Sequence, residues 1–537
     1  MSGFANAGLW PVLKKRTAGL KIHLCALFLI GFSLYTMAAD CVVKFDSLQQ
    51  RMSGFGGSTA WAGGLADNLI NDLFSPTTGC GLTLVRMRIG PNGTTGSGEI
   101  AIAKKAQALG AAIWAAPWSP QASWKDNNNV NKGGSLLQAH YQDWADRLVT
   151  YVKNCQTQGI NLRWISAQNE PNWTADYESC RYTPEQLADF VGNYLGPSLE
   201  KAGLKTRIIA PEVINWGSLK PFGDALLNSE NAMKYCDVIA SHSYGDEPRA
   251  PNFPYKLVLE KKKELWETEY GFDQFAGDES MTPGIAIAKQ MHGQIVNGPV
   301  SAYHTWWIIP ADGVNGTASN GLVMKGHVIQ RGYVMGNYSR FVRPGSYRVT
   351  ATASPASGIL VTAYRNDSLK QLTIVAINTS SSANEQKFVL DKVTVPTVTP
   401  WETSNAVKLK AREAVTAGSS FTWSLPATSV VSFVGGYTGV ATAKNNRAMH
   451  RTPAIITARG IAHSGLHVGF VAATNGTTRI GVYRPDGTCV DRTEMVTHAG
   501  RQYAHAFELP EQPAGLYIIT LRGENGAVLS SELTALR

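Results

Sequence analysis

Two glutamates stand at the ends of strand-like segments, in surroundings suited to acid–base chemistry. One is Glu170, in the segment QNEP, and the other is Glu267 or Glu269, in the segment WETEY. Hydrolysis of a glycosidic bond needs two carboxyl groups flanking one cleft. In retaining enzymes they lie about 5–5.5 Å apart, and one protonates the leaving oxygen while the other attacks the sugar carbon. We therefore interpret these glutamates as a candidate catalytic pair.

The second member of the pair is ambiguous from pattern alone. Side chains alternate between the two faces of a strand, so Glu267 and Glu269 point the same way. Glu269 is nearer the carboxyl end of its segment, which favours it. Arg86 and Arg88 end another strand-like segment. Because a nearby positive charge favours the ionised form of a carboxyl group, we expect these arginines to keep the nucleophile ionised.

Aromatic side chains follow the same segments and indicate a carbohydrate ligand, because the apolar face of a sugar ring stacks on an indole ring. His242 is a candidate hydrogen-bond donor to the sugar or to the protein, and as a lone histidine it does not predict a metal site. We expect neither a metal ion nor an organic cofactor. The aromatic candidates are Trp61, Trp118, Trp124, Trp173, Tyr177, Tyr244, Trp306 and Trp307.

The elements that must position these residues read as eight alternating strands and helices. Such alternation over roughly 250 residues is typical of a (β/α)8 TIM barrel, whose active site lies at the carboxyl ends of its strands. An open doubly wound sheet is the alternative, but no Gly-x-Gly-x-x-Gly turn follows a strand. The predicted strands are 54–58, 82–89, 111–117, 162–168, 207–210, 238–244, 264–270 and 302–309.

The remainder of the chain has the short apolar–polar alternation of antiparallel strands. We predict a side antiparallel β-sandwich over residues 346–437, joined by an N-terminal strand in 40–53, and a catalytic barrel over 54–345. Residues 438–455 read as a linker, and residues 456–537 as a C-terminal β-rich domain.

Composition excludes several protein classes. With 537 residues, 44% hydrophobic and 17% charged, the chain can bury a large core and is not disordered. The net charge of +9 comes without a Lys/Arg cluster, so we expect no nucleic-acid partner. We expect a monomer.

The N-terminus predicts export from the cell. Basic residues within 14–21 precede an apolar run over 24–35 and the small residues Ala38 and Ala39, the pattern of a secretory signal over residues 1–39. A single N-terminal membrane anchor is the alternative. We expect no membrane span in the mature chain, which would be secreted or bound to the cell surface. Its six cysteines after the signal permit disulfides, with buried free thiols as the other possibility.

Longer motifs carry a family resemblance. The segments GFGGSTAWAG, WAAPWSPQASWK, WISAQNEPNW, SHSYG, ELWETEY and QRGYVMGNYSRFVRPG resemble glycoside hydrolase family 30, especially its xylanase branch, over about residues 42–435. The resemblance implies a barrel fused to a β-sandwich and retaining hydrolysis of xylan. It implies Glu170 as acid/base, Glu269 as nucleophile and Asn169 as ligand of the sugar 2-hydroxyl. The expected substrate-binding residues are Asn169, Trp61, Trp118, Tyr177, His242, Tyr244, Trp306 and Arg86.

One departure from that branch concerns glucuronic acid side groups. The branch often reads them with an arginine four residues after the first Trp of the eighth strand, where this chain has Pro310. The positions of its Tyr and Ser partners fall near Gly271 and Gln274. Because recognition of a carboxylate needs a fixed bidentate donor, we expect an endo-β-1,4-xylanase without strict dependence on glucuronate.

Several alternatives stay open. A glucuronoxylan-specific xylanase, a β-1,6-glucanase and a glucosylceramidase-like enzyme are other activities of the family, and a non-catalytic polysaccharide-binding protein is an alternative of another class. The presence of both Glu170 and Glu269 argues against mere binding. The last unit, with IGVYRPDGTCVDR and PAGLYIITL, resembles a type IX secretion sorting domain, with a carbohydrate-binding or immunoglobulin-like module as the alternative.

Overall fold

A computed structural model describes most of the chain after the predicted signal. Residues 1–38 of that signal and residues 438–454 of the predicted linker lie outside the described residues. Within the described residues, no helix is both long and apolar enough to cross a membrane. The described residues are 39–245, 255–271, 273–310, 313, 315–316, 320–437, 455–461, 465–472, 475–484, 488–498, 501–509, 515–522 and 528–536.

Strand β1 (Cys41–Arg51) precedes a closed barrel of eight parallel strands, β2 to β9, each paired with the next. The predicted TIM barrel is therefore confirmed. Gly56 is required in the first barrel strand, because a Cβ there would lie 1.9 Å from the carbonyl oxygen of Leu84. The barrel strands are β2 (Gly54–Ser58), β3 (Leu84–Ile89), β4 (Ala112–Pro117), β5 (Leu162–Ser166), β6 (Arg207–Val213), β7 (Cys236–His242), β8 (Glu264–Glu269) and β9 (Ala302–Thr305).

Two strand ends differ from the sequence prediction by three residues or more. The predicted fifth strand ends at Ala210, before a proline, whereas β6 continues through Pro211 to Val213. The predicted eighth strand extends to residue 309, whereas β9 ends at Thr305. The first difference matters for the site, because it adds Glu212 to a strand end.

Helices pack around the barrel through apolar faces. In α3, residues at helical spacing such as Trp144, Leu148 and Val152 are fully buried. Thr183 caps α4, and its side chain accepts a hydrogen bond from the backbone of Gln186. The helices are α1 (Asp67–Phe74), α2 (Ser97–Ala108), α3 (Tyr141–Thr157), α4 (Pro184–Asp189), α5 (Gly196–Lys201), α6 (Leu219–Asn228), α7 (Glu230–Tyr235), α8 (Lys256–Glu260), α9 (Met281–Asn297) and α10 (Gln330–Ser339), with a π-helical turn at Phe190–Leu195.

A ten-stranded sheet follows the barrel, and β1 lies within it, antiparallel to β12 and parallel to β15. The sheet folds into two packed layers, because Phe388 of β15 and Phe433 of β20 are five strands apart in the sheet order, yet their ring centroids are 5.0 Å apart. The strands after the barrel are β10 (Val323–Met324) and β11 (His327–Val328), which form a separate pair, and β12 (Tyr347–Ala351), β13 (Ile359–Asn366), β14 (Gln371–Asn378), β15 (Asn384–Asp391), β16 (Val395–Thr403), β17 (Lys410–Ala411), β18 (Val415–Gly418), β19 (Ser420–Leu425) and β20 (Ser429–Gly436).

The C-terminal residues form two further sheets, with strand orders β21-β22-β25 and β24-β23-β26-β27. Their common apolar core contains Val468, Phe470 and Ile519, all fully buried. The strands are β21 (Ile455–Ile461), β22 (Gly465–Val471), β23 (Gly476–Tyr483), β24 (Cys489–Thr497), β25 (Gln502–Glu508), β26 (Gly515–Arg522) and β27 (Val528–Leu536).

The six cysteines of the described residues are free thiols, which decides between the two possibilities left by the sequence. Five of them are buried and one is exposed, so they act mainly as small apolar side chains. They are Cys41, Cys80, Cys155, Cys180 and Cys236, which are buried, and Cys489, which is exposed.

Candidate active site

A cavity of about 450 Å³ opens at the carboxyl ends of the barrel strands. Its wall combines three carboxylates with aromatic rings, a combination that suits a sugar ligand. Seven of the ten predicted site residues line it, and the other three, Arg86, Asn169 and His242, are buried beside its carboxylates. The lining residues are Trp61, Trp118, Glu170, Tyr177, Ile214, Tyr244, Glu269, Asp273, Trp306 and Trp307.

Glu170 lies just after β5, in a turn with a left-handed backbone (φ 47°). Its backbone N–H donates to the carbonyl oxygen of Glu212 at 3.0 Å, which ties the turn to the end of β6. The hydroxyl of Tyr177 donates to one carboxylate oxygen at 3.2 Å, and Nδ1 of His242 lies 3.2 Å from the other. These contacts hold the carboxyl group in one orientation at the cavity wall.

Glu269 is the last residue of β8 and lies opposite. Arg86 Nη1 donates a hydrogen bond to its Oε2, and the hydroxyl of Tyr244 donates to its Oε1 at 3.0 Å. One oxygen of Glu269, one oxygen of Glu170 and a ring nitrogen of His242 all lie within 4.8 Å of one another. The two carboxyl groups therefore face one small volume from two sides.

Buried charges set the protonation of the site. Burial alone lowers the pKa of His242, but the carboxylates of Glu269, Glu170 and Glu212 raise it to about 10, so the imidazole is a cation at neutral pH. Burial raises the pKa of Glu269, and the positive charges of His242 and Arg86 oppose that rise. Burial and the two neighbouring cations therefore act in opposite directions on the ionisation of Glu269.

The structure separates Glu267 from Glu269, which the alternation pattern could not do. Glu267 is fully buried and accepts a hydrogen bond from the backbone N–H of His304 at 3.0 Å. Burial raises the pKa of Glu267 well above its usual value, which favours its uncharged form. Of the two, only Glu269 lines the cavity.

Arg86 and Asn169 form a buried layer behind the carboxylates. Arg86 Nη2 donates to Asn169 Oδ1 at 2.6 Å, and the guanidinium carbon lies 4.6 Å from the ring centroid of Trp118. Arg88, the other predicted arginine, instead pairs with Glu178, and its guanidinium lies 5.0 Å from the ring of Trp61. Only Arg86 therefore contacts the candidate nucleophile.

The tryptophans form a continuous aromatic wall. Trp118 lies 5.3 Å from Trp61 and 5.9 Å from Trp306, and Trp306 stacks on Trp307 at 4.5 Å. Trp61 keeps 42% of its surface exposed, so its ring is available to a ligand. Two other predicted aromatics are not in the wall. Trp124 stacks on His140, and Trp173 is exposed outside the lining.

Three residues of the site did not emerge from the sequence. Glu212 is the next-to-last residue of β6 and makes an ion pair with Arg86 at 3.0 Å. Ile214 and Asp273 line the cavity. A signal for Glu212 existed, because an acidic residue after a barrel strand is a candidate by position. Asp273 lies in a loop beyond β8, where strand spacing carries no information about which side chains reach the cavity.

His242 and the two carboxylates also have the composition of a cation site. A histidine must be neutral to bind a metal, whereas His242 is protonated at neutral pH and Arg86 already occupies Glu269. The proton on His242 and the contact of Arg86 with Glu269 both disfavour a cation here. The absence of a metal ion and of an organic cofactor stays a prediction.

Comparison with known proteins finds one family. A family model described as the glycosyl hydrolase family 30 TIM-barrel domain matches residues 98–257. Glucuronoxylanase XynC of Bacillus subtilis strain 168 is 31% identical over 441 residues, which cover 79% of this chain and 99% of the relative.

Solved structures agree with this finding. A GH30 endoxylanase from Clostridium papyrosolvens C71 is 33% identical with a TM-score of 0.64, and the match covers 74% of this chain and 100% of that chain. The subfamily 8 xylanase Xyn30A of Clostridium acetobutylicum is 32% identical with a TM-score of 0.66, and the match covers 74% of this chain and 99% of that chain.

Proposed function

This chain belongs to glycoside hydrolase family 30, and from that premise we propose that it is a retaining endo-β-1,4-xylanase that does not require glucuronate side groups. The three similar proteins described above, at 31–33% identity over most of their length, are named as a glucuronoxylanase, an endoxylanase and a xylanase. A neutral xylan backbone also suits a cavity whose wall is mainly aromatic.

The observation that carries the proposal is the spacing of the two carboxylates. Oxygens of Glu170 and Glu269 approach within 4.8 Å of each other across the cavity. Retaining glycosidases have carboxyl groups about 5–5.5 Å apart, whereas inverting enzymes need about 6.5–9.5 Å to admit a water molecule between base and sugar. The short spacing supports direct attack by a carboxylate.

The surroundings of each carboxylate support its role. Glu269, in contact with Arg86, attacks the anomeric carbon. At the same time Glu170 donates its proton to the departing oxygen, and the bond between that oxygen and the anomeric carbon breaks. Water, deprotonated by Glu170, then attacks the same carbon and releases Glu269. The hydroxyl of Tyr244, which donates to Glu269, keeps the nucleophile directed at the cavity.

The charges of the cavity wall support independence from glucuronate. The charged side chains in the described lining are Glu170, Glu269 and Asp273, all of them acidic. Asn320 Nδ2 donates a hydrogen bond to Asp273, which holds that carboxylate in place. Pro310 and its neighbours provide no guanidinium to receive a sugar carboxylate.

Export to the medium or cell surface is part of the same proposal. It rests on the N-terminal signal pattern and on the likeness of the C-terminal unit to a sorting domain. A polymeric substrate outside the cell requires such export.

The test uses the purified full chain on linear xylo-oligosaccharides, arabinoxylan, glucuronoxylan and β-1,6-glucan. We expect cleavage of all three xylan types at rates within about tenfold of one another, because no lysine or arginine is among the described lining residues of the cavity. Proton NMR in the first minutes should detect the β-anomer before mutarotation, as retention requires.

Two results would contradict the proposal. Initial release of the α-anomer would reject retention. Cleavage confined to glucuronoxylan, or to β-1,6-glucan, would reject the proposed substrate.

A further inference from the structure

Glu212 belongs to the buried layer behind the candidate catalytic pair. It is fully buried, stands next to last in β6 and has a left-handed backbone (φ 54°). Its Oε1 accepts a hydrogen bond from Arg86 Nη2 at 3.0 Å and lies 3.6 Å from His242 Nε2. Glu212 is not part of the cavity lining, so it acts on a substrate only through other residues.

Glu212 connects the two halves of the pair. Arg86, which it holds on one side, contacts Glu269. His242, which it faces on the other side, contacts Glu170. The carbonyl oxygen of Glu212 also accepts the backbone N–H of Glu170 at 3.0 Å. No substrate needs to be present for these contacts to form.

A charge count gives Glu212 a specific part in the cycle. Arg86 and His242 contribute two positive charges. Before reaction, Glu170 is protonated, so Glu212 and Glu269 contribute two negative charges. In the glycosyl-enzyme, Glu269 is esterified and neutral, and Glu170, having given up its proton, is ionised beside Glu212. The cluster is neutral in both states.

Other titratable groups facing this cluster leave the count unchanged. Burial lowers the pKa of His304 on β9 to about 4 and raises that of Glu267 on β8 well above normal, which favours the uncharged form of both. Burial likewise raises the pKa of Tyr244 beyond β7 and of Tyr177 beyond β5. Asp273, at the cavity wall, is the further charged group that acts on Tyr244.

We propose that Glu212 is a positioning residue whose fixed negative charge balances Arg86 and His242, so that the proton of Glu170 moves without leaving a net charge in the buried cluster. This inference rests on the proposed roles of Glu170 and Glu269. Charge balance matters here because an uncompensated charge in a buried site is costly.

The test compares Glu212→Gln with Glu212→Asp in the full chain, by the pH dependence of kcat/KM. Glu212→Gln leaves a surplus positive charge, which favours loss of a proton from Glu170 or His242. We expect the alkaline limb of its profile, where kcat/KM falls at high pH, to move to lower pH by about one unit. Glu212→Asp keeps the charge, so its alkaline limb should stay within about 0.3 units of wild type even if kcat/KM falls.

A second variant keeps the proposal testable if Glu212→Gln alone does not fold. The double variant Glu212→Gln, His242→Gln removes one charge of each sign. We expect it to fold and to have an alkaline limb closer to wild type than Glu212→Gln. A Glu212→Gln limb that coincides with wild type, or a double variant that does not fold, would overturn the proposal.

Failure of this inference differs from failure of the proposed function. If wild type cleaves another β-glycoside but not xylan, the proposed substrate is wrong and the pH profiles are measured on that glycoside. If wild type cleaves xylan and the Glu212→Gln limb does not move, only the role of Glu212 is rejected.

Discussion

The mouth of the barrel and the core of the β-sandwich both contain fully buried side chains, but those at the mouth include charged groups and those in the sandwich are apolar. At the mouth, Arg86, Glu212 and His242 are fully buried and charged. In the sandwich, Phe388 and Phe433 are fully buried, and their rings pack 5.0 Å apart. Burial alone therefore does not reveal what a region of this protein contributes.

The difference is one of free energy. Removing an aromatic ring from water stabilises the fold by about 25 cal/mol per Å² of apolar surface. Removing a charge from water costs free energy that its partners only partly return. The buried side chains of the sandwich thus stabilise the fold. The buried charges at the mouth instead contact the two candidate catalytic carboxylates.

Glu269→Ala should have the largest effect on activity and show that the mouth of the barrel carries the chemistry. We expect kcat/KM on xylan to fall by at least about 10³-fold, because the attacking carboxylate is lost. Glu267→Gln is the matched control. Burial favours the uncharged form of Glu267, so its amide analogue should retain activity within about tenfold of wild type. Equal losses in both variants would reject Glu269 as the nucleophile.

Glu170→Gln should distinguish proton donation from general support of the site. We expect a loss of about 10²–10⁴-fold on xylan, the usual contribution of general acid–base catalysis. Aryl xylosides with a good leaving group need less protonation, so the rate of their first step should fall far less. Similar losses on both substrates, measured by burst kinetics, would count against Glu170 as the acid.

The same contrast explains how far the sequence could predict the protein. Barrel strands are short apolar runs ending in polar residues, so the order of strands and the positions of Glu170 and Glu269 were readable. Pro211 concealed the rest of β6, because proline ordinarily ends a strand, and Glu212 was missed with it.

Helices were less readable where packing overrides propensity. In α10, Gly332 and Gly336 lower helix propensity. Close packing nevertheless favours glycine at position 336, because a Cβ there would lie 2.8 Å from Cδ2 of Leu409 and 3.1 Å from the backbone Cα of Cys80. Likewise, Trp118 and Trp124 both follow β4, yet only Trp118 reaches the cavity. Loop paths of this kind depend on tertiary contacts that one sequence does not display.

Phe433→Ala should affect the sandwich and spare the mouth. Truncating a buried phenylalanine costs about 3–5 kcal/mol, since it removes apolar contacts and leaves a cavity. We expect a lower midpoint of thermal unfolding but kcat/KM within about twofold of wild type while the protein is folded. Leu369→Ala, at a site that is 55% exposed, is the control and should change neither quantity. A large fall in kcat/KM of folded Phe433→Ala would break the proposed division between the regions.

Glu99→Gln should give the smallest effect of the variants considered, on the free energy of unfolding. It tests directly what a buried charge costs. Glu99 on α2 is 1% exposed and accepts hydrogen bonds from the backbone N–H groups of Arg88 and Trp61. Burial raises its pKa to about 7.

A carboxyl whose pKa is raised on folding favours the folded state at acidic pH, and that contribution is lost as pH rises through the folded pKa. Wild type should therefore lose about 1–3 kcal/mol relative to Glu99→Gln between about pH 4.5 and 8. Denaturant unfolding at a series of pH values measures this difference, and a difference independent of pH would show that Glu99 is not titrating inside the fold.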